Sequence, residues 1–345
     1  MKRTEMLPMV VGLPSTTVSD DDRALLERVR PAGVILFSRN IETPDQVRAL
    51  MNCLEELEPR PLVTADLEGG MVNRLTALWG HLPTPAEAAA AGRRAVRALG
   101  EAAGSACRNL GIQLNLAPAV DLDCPGARLS GQGRCLGSDP DRVIVLARIF
   151  NDGLGKWGVS GCSKHFPGLG PVPADTHDEL PVLTSDSEEL SPQLRVFREL
   201  GAEFPTVMVG HVVTPGLGDA ERPASLSRTV VEQATNLPGS PVVLADDLEM
   251  GALEDWGDLP ERVLAAVHAR NHGLLICNAC DRIDEIAIHL RESAEIDGAV
   301  ATRLVEMNAR MGTLARDLHQ RAAAVPAPDD ETVEQLWEQA RREAS

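Results

Sequence analysis

Short apolar runs rich in Val, Ile and Leu recur along the chain at 7–13, 33–37, 61–65, 112–116, 159–162, 206–209, 241–245 and 273–277. Each is apolar almost without interruption, the pattern of a strand buried on both faces. Segments with helical start signals lie between them. Ser19 precedes three acidic residues, Asp20, Asp21 and Asp22, and then Leu25, Leu26 and Val29. An acidic first turn complements the positive end of a helix dipole. Thr43-Pro44-Asp45-Gln46 supplies an N-cap, a proline at the first helical position and a capping-box glutamine. Thr84-Pro85-Ala86-Glu87 repeats the device ahead of an Ala-rich stretch. Segments 185–200, 260–270 and 281–291 continue the alternation.

Eight strand–helix units predict an α/β fold, a (β/α)₈ TIM barrel, with a doubly wound open sheet as the competitor. The polar residues decide for the barrel. Successive runs end at Ser38-Arg39-Asn40, Asp66, Asn115, Lys164-His165, His211, Asp246-Asp247 and Asn278. Polar side chains at the C-terminal ends of many strands are what a barrel active site uses. No glycine-rich dinucleotide fingerprint follows the first run. Residues 1–320 are expected to form one catalytic barrel. Within that span, 299–318 reads as a long amphipathic helix. Residues 321–345 are expected to form a Pro-bearing linker and a last exposed helix, packed on the barrel or on a partner.

Composition narrows the function. The chain has 345 residues, 43% hydrophobic, and a formal charge of −18. Such acidity argues against non-specific binding of nucleic acid or an anionic membrane. There is no Tyr and there are five Phe, so aromatic platforms are scarce. The N-terminal apolar run is broken by Pro8 and Pro14, a poor signal peptide, and no run approaches the length of a membrane span. Seven scattered Cys fit reduced thiols, and Cys277 and Cys280 form one lone Cys-x-x-Cys. A cytoplasmic protein acting on a small molecule is expected; the sequence leaves its oligomeric state open.

Residues 164–181 concentrate the candidate chemistry. Past the buried run 159–162, a loop of Gly168, Gly170, Pro171 and Pro173 is expected to carry Lys164, His165, Asp175 and His177. Those glycines and prolines exclude a helix interior or central strand. In Asp-x-His the carboxylate can hold one imidazole nitrogen and turn the other outward, as an acid/base histidine requires. Asp66-Leu67-Glu68-Gly69-Gly70 closes the third run, with Arg74 just beyond. An Asp there can accept two sugar hydroxyls, and an Arg can bind a carboxylate or amide oxygen. At Asp246-Asp247 the sequence alone does not choose. Strand neighbours point to opposite faces, so one is expected to face the barrel axis, and one is expected to pair with Arg or Lys. The eight His are scattered, with no His-x-His and no His-Glu-x-x-His, and neither metal nor cofactor is expected.

The stretch Lys164-His165-Phe166-Pro167-Gly168-Leu169-Gly170, with Asp175-Thr176-His177 and Leu180-Pro181, resembles the family 3 glycoside hydrolases, in particular bacterial cytosolic β-N-acetylhexosaminidases of the peptidoglycan-recycling type. Further matches run in the family's order from about 33 to 278: Gly33 to Asn40, Asp66 to Arg74, Asn115 to Asp121, Arg134 to Pro140, Val207 to His211, Pro223 to Ser227 and Pro241 to Met250. The resemblance implies that Asp246 is the nucleophile, that His177 is the acid/base with Asp175 behind it, and that Asp66, Arg74, Arg134, Lys164 and His165 hold the sugar. Leu67, Met71 and Leu169 depart from the family's Gln, Arg and His. Ala269-Arg270-Asn271-His272 departs from Ala-Gly-x-Asp, a change expected to reach the turn or the floor of the site.

The function this implies is a retaining exo-glycosidase releasing β-linked N-acetylglucosamine from muropeptide or other amino-sugar fragments, by a His–Asp variation on the two-carboxylate scheme. Three rivals stand beside it. One is a sugar-binding barrel with impaired catalysis, suggested by the departures. Another is a metal-dependent hydrolase, which chelator sensitivity would reveal. The third is a β-N-acetylglucosaminide phosphorylase, since an uncharged base repels an anionic acceptor less than a carboxylate does.

Overall fold

The computed structural model describes residues 5–172 and 179–345. Its centre is a closed barrel of eight parallel strands. In chain order these are β1 (Leu7–Gly12), β2 (Pro31–Leu36), β3 (Leu62–Ala65), β4 (Leu114–Asn115), β5 (Ser160–Phe166), β6 (Thr206–Val209), β7 (Val242–Ala245) and β8 (Gly273–Ile276). Each pairs with its chain neighbours, and β8 closes onto β1. The open-sheet alternative is thereby excluded. All eight apolar runs became strands.

Alternate residues divide two cores, as the pleat requires. Val10, Ile35, Leu62, Met208, Leu244 and Leu275 fill the barrel interior. Their neighbours Val11, Val34, Val63, Val207, Val243 and Leu274 join the outer core under the helices. The helices following the strands are α1 (Asp20–Val29), α2 (Pro44–Glu55), α3 (Arg93–Leu110), α4 (Pro140–Gly155), α5 (Ser191–Leu200), α6 (Arg228–Thr235), α7 (Leu259–His268) and α8 (Ile283–Ile296). Ser19 and Asp22 form a reciprocal capping box on α1. Thr43 caps α2 by accepting from Gln46 N, while the Gln46 side chain accepts from Glu42 N rather than from the cap residue. The Ala-rich stretch after Thr84 is two helices, Pro85–Ala91 and α3, broken at Gly92. Two helices, α4 and α6, lie outside the expected segments, although Asp139 and Ser227 cap them through their side chains.

Two helices follow the barrel. Met311, Leu314 and Leu318 of α9 (Gly298–Ala323) pack into the interior core from the end where the strands begin. Arg303 and Arg310 of α9 donate to backbone carbonyls of Arg270, Asn271, Ser240 and Pro241, just ahead of β7 and β8. The last helix, α10 (Asp330–Ala344), buries Val333, Trp337 and Ala340. It is half-buried rather than exposed. With the strand starts plugged, the open end of the barrel is the C-terminal one.

Candidate active site

Asp66 follows β3 directly. Its Oδ1 accepts from Lys164 Nζ at 2.9 Å and its Oδ2 from Arg74 Nη2 at 3.2 Å. Arg74 is brought back by a two-stranded hairpin, Leu67–Gly69 with Val72–Asn73. The hairpin turn needs glycine. Gly69 has φ of 107°, and a Cβ there would lie 2.3 Å from the Pro83 carbonyl oxygen. Asn115, at the end of β4, brackets the Leu67 backbone, accepting from its N–H and donating to its C=O, each at 2.9 Å. The Phe37 ring lies under the Arg74 guanidinium, 5.0 Å from its centroid.

Glu68 is the buried hub of the same hairpin. Arg134 grips it through Nε and Nη2 at 2.8 and 2.7 Å, and Lys164 Nζ lies 2.7 Å from Oε1. Burial pushes both Asp66 and Glu68 upward. Lys164 with Arg74 at the first, and Arg134 with Lys164 at the second, outweigh it and hold both carboxyls below their ordinary values. Burial also works against the Lys164 charge, and Asp66 and Glu68 overcome it, raising its pKa. The cluster is therefore ionised throughout the neutral range.

Lys164 and His165 were expected to open a loop, but β5 continues through both to Phe166. The pairing of β5 with β6 shifts register between Ser163 and Phe166. Such an irregularity re-aims side chains, and here both consecutive residues reach the cavity. Asp121 Oδ2 meets His165 Nδ1 at 2.8 Å and also takes the His165 backbone N–H. Its Oδ1 takes the Leu169 N–H at 2.9 Å. Burial pushes Asp121 up, and His165 and these backbone donors bring it below the ordinary carboxylate range.

Asp246 follows β7, four strands around the barrel from Asp66 and so across its mouth. Its Oδ1 accepts from Asp247 N at 2.9 Å. Both aspartates line the cavity, contrary to the expectation that one faces away. The strand ends at Ala245, so pleat alternation no longer applies. Nor does either form an ion pair with Arg or Lys among the described residues. The Asp247 carbonyl accepts from His211 Nε2 at 2.8 Å, and His211 Nδ1 meets Ser225 Oγ at 2.7 Å.

The cavity between these groups is about 320 Å³, and Asp66, Arg74, Arg134, Lys164, His165 and Asp246 all line it. Its floor includes Ile35, Leu116, Met208 and Leu275. Asp175 and His177 lie outside the described residues. Glu68, Asp121, His211 and Asp247 were not expected at the site, although each lies within one of the motifs above. The departures scatter. Leu67 is fully buried, Met71 is 64% exposed at the cavity mouth, and Leu169 lines the wall. Arg270 and His272 lie just ahead of β8, at the far end from the cavity, so their change does not reach the floor of the site. His272 Nδ1 accepts from Val243 N at 2.9 Å, tying β8 to β7. Among the described residues no three His, Cys, Asp or Glu side chains group to hold a metal ion.

A parallel eight-stranded barrel whose C-terminal mouth holds carboxylates facing a cluster of fixed cations defines a barrel enzyme for a small, polar substrate. The chain belongs to glycosyl hydrolase family 3: the profile of the family's N terminal domain matches residues 3–307. It is a glycoside hydrolase. Relatives named beta-hexosaminidase include one from Alkalilimnicola ehrlichii, 34% identical over 315 residues, covering 88% of this chain and 89% of its own. Another, from Pseudomonas aeruginosa, is 32% identical over 277 residues, covering 78% of this chain and 82% of its own. The fold is similar to a family 3 β-N-acetylglucosaminidase from a Paenibacillus species, with TM-score 0.86 and 29% identity over 98% of this chain and 67% of that one. It is also similar to NagZ from Neisseria gonorrhoeae, with TM-score 0.78 and 25% identity over 100% of this chain and 98% of that one.

Proposed function

We propose that the protein is a retaining exo-β-N-acetylglucosaminidase working in the cytoplasm on muropeptide or related amino-sugar fragments. The observation that carries the reading is the placement of Asp246 across the barrel mouth from the Asp66–Arg74–Lys164–Glu68–Arg134 network. Asp246 attacks the anomeric carbon as the aglycone oxygen leaves, forming a covalent glycosyl-enzyme. Asp66, through whichever lone pairs its two cations leave open, and Arg74, Arg134, Lys164 and His165 fix the sugar hydroxyls and the acetamide oxygen. His177, oriented by Asp175, protonates the leaving oxygen and then deprotonates the attacking water. A cavity of about 320 Å³ is at the small end of ligand pockets and suits one terminal sugar rather than an internal stretch of polymer. Residues 1–320 make up the catalytic unit, and 321–345 its linker and final helix.

The test is trapping. A 5-fluoro N-acetylglucosaminyl fluoride that accumulates the glycosyl-enzyme should add one sugar mass to the peptide containing Asp246. Label on any other residue, or faster turnover of aryl β-glucosides than of their 2-acetamido analogues, overturns the assignment.

A further inference from the structure

Asp247 is a third carboxyl in the cavity wall, beside Asp66 and Asp246, and the mechanism above gives it no task. Its neighbourhood is unlike that of Asp66. Asp246 precedes it and Glu249 follows two residues on, so three carboxyl groups fall within four positions. Glu249 is fixed, its Oε2 and Oε1 accepting from Asn278 N and Ala279 N at 2.5 and 2.6 Å. Just past β8, the Cys277 backbone N–H and thiol face Asp247; just past β6, His211 Nε2 meets its main-chain carbonyl. Arg39 turns its guanidinium to the Cys277 carbonyl and the Asn278 side chain. Asp247 Oδ1 receives two long backbone bonds, from Glu249 N at 3.2 Å and Cys277 N at 3.3 Å. None of the described residues bonds its Oδ2. A buried carboxylate with like charges on both sides and, among the described residues, no ion pair to Arg or Lys is the arrangement that retains a proton.

We propose that Asp247 is a positioning residue that stays protonated in the working enzyme, leaving Asp246 the ionised member of the pair and presenting a hydroxyl donor to the cavity. The inference rests on Asp246 being the nucleophile. When Asp246 bonds to the anomeric carbon and the aglycone departs, the Asp247 proton is not transferred. Held on Asp247, it localises the pair's one negative charge on Asp246, where the nucleophile needs it. The main-chain N–H of Asp247 orients Asp246, and a side-chain substitution leaves that bond in place. Burial, then Glu249 and Asp246, push the Asp247 carboxyl up to about 8, in agreement with the geometry.

The experiment compares the full-length wild type with Asp247→Asn and Asp247→Ala on a dinitrophenyl β-N-acetylglucosaminide. Its leaving group needs no proton, so the alkaline limb does not report His177. Wild-type kcat/KM should fall on the alkaline side near pH 8. The Asn variant, a permanent neutral donor, should lose less than about tenfold at pH 6.5 and lack that limb, and the Ala variant should fall at least tenfold further. An Asn variant as inactive as Asp246→Asn, or one with the wild-type limb, overturns the proposal. Thermal midpoints give a readout that needs no turnover. The unfolded carboxyl ionises from about pH 4 and the folded one only near 8, so ionisation of the unfolded state costs the wild type stability across that window. Asp247→Asn should therefore melt above wild type at pH 8, with the gap closing toward pH 4. A lower midpoint at pH 8 overturns the proposal. If no N-acetylglucosaminide is turned over, the proposed function fails while the melting comparison still decides on Asp247.

Discussion

The Lys164 ammonium lies 2.7 Å from Glu68 Oε1, an oxygen that Arg134 Nη2 also reaches at 2.7 Å. One fully buried carboxylate thus holds two cations that line the cavity. Breaking a buried pair from one side costs about 3–5 kcal/mol, because the remaining charges stay buried. Glu68→Gln should therefore lower stability by about 3 kcal/mol in denaturant titrations near neutral pH. The folded pKa lies below the ordinary value of 4.5, so the wild-type advantage is present above that value and shrinks as pH falls through the folded pKa. Michaelis constants should rise more than kcat falls, since Arg134 and Lys164 lose position and Asp246 does not. A variant with wild-type melting and KM would show that the hub is dispensable.

His272 gives a pH dependence of opposite chemical origin. Burial, then Arg303 and Arg310, push its imidazole down to about 3. The folded state keeps it neutral while the unfolded chain protonates near 6.5, so stability falls as pH drops from about 6.5 toward 3. Above that window the group is neutral in both states and contributes no slope. One such group changes stability by about 1.4 kcal/mol per pH unit inside the window. His272→Asn should remove that share of the slope between pH 6 and 4, measured by urea unfolding. An unchanged slope would place the acid sensitivity elsewhere.

The barrel was legible because its strands are buried on both faces, and continuous apolar runs survive any register. That same continuity hid which residues point inward: Val10 and Val11 are both apolar, yet one fills the barrel and the other the outer core. Asp66, Arg74, Arg134, Lys164 and His165 were found through motifs. Glu68, inside the same motif as Asp66, had no partner nearby in sequence to mark it, because Arg134 is 66 residues away. Alternation let only one of Asp246 and Asp247 face the axis and did not choose between them; it lapses where β7 ends, and both line the cavity. His272 read as a lost family residue, whereas it holds two strands together through its ring nitrogen.

Trp337 links the final helix to the loop beyond Arg74. Its ring centroid is 5.6 Å from that of Trp79, and its Nε1 donates to the Gly80 carbonyl at 3.2 Å. It is 1% exposed. Trp337→Ala should cost about 3–5 kcal/mol. At temperatures where the variant is still folded, kcat/KM should stay within a few-fold of wild type, since Arg74 keeps its bonds to Asp66 and Phe37. Loss of activity without loss of stability would mean that α10 acts on the site itself.

Asp175 and His177 lie outside the described residues, so the expectation for the acid/base comes from Asp-x-His in a loop rich in Gly and Pro. A general acid matters in proportion to how badly the leaving oxygen needs a proton. His177→Ala should therefore slow alkyl and sugar leaving groups by about 10²-fold or more, and dinitrophenol far less. Glycosyl-enzyme should then accumulate with the good leaving group, because in the proposed mechanism the same residue activates water in the second step. Added azide, which needs no deprotonation, should restore turnover and yield a glycosyl azide of retained configuration. Equal loss on both classes of leaving group removes His177 from the acid role. Product analysis in phosphate completes the measurement, since an uncharged imidazole leaves room for an anionic acceptor. Free N-acetylglucosamine as the product supports the hydrolase, and a sugar-1-phosphate would reassign the enzyme as a phosphorylase.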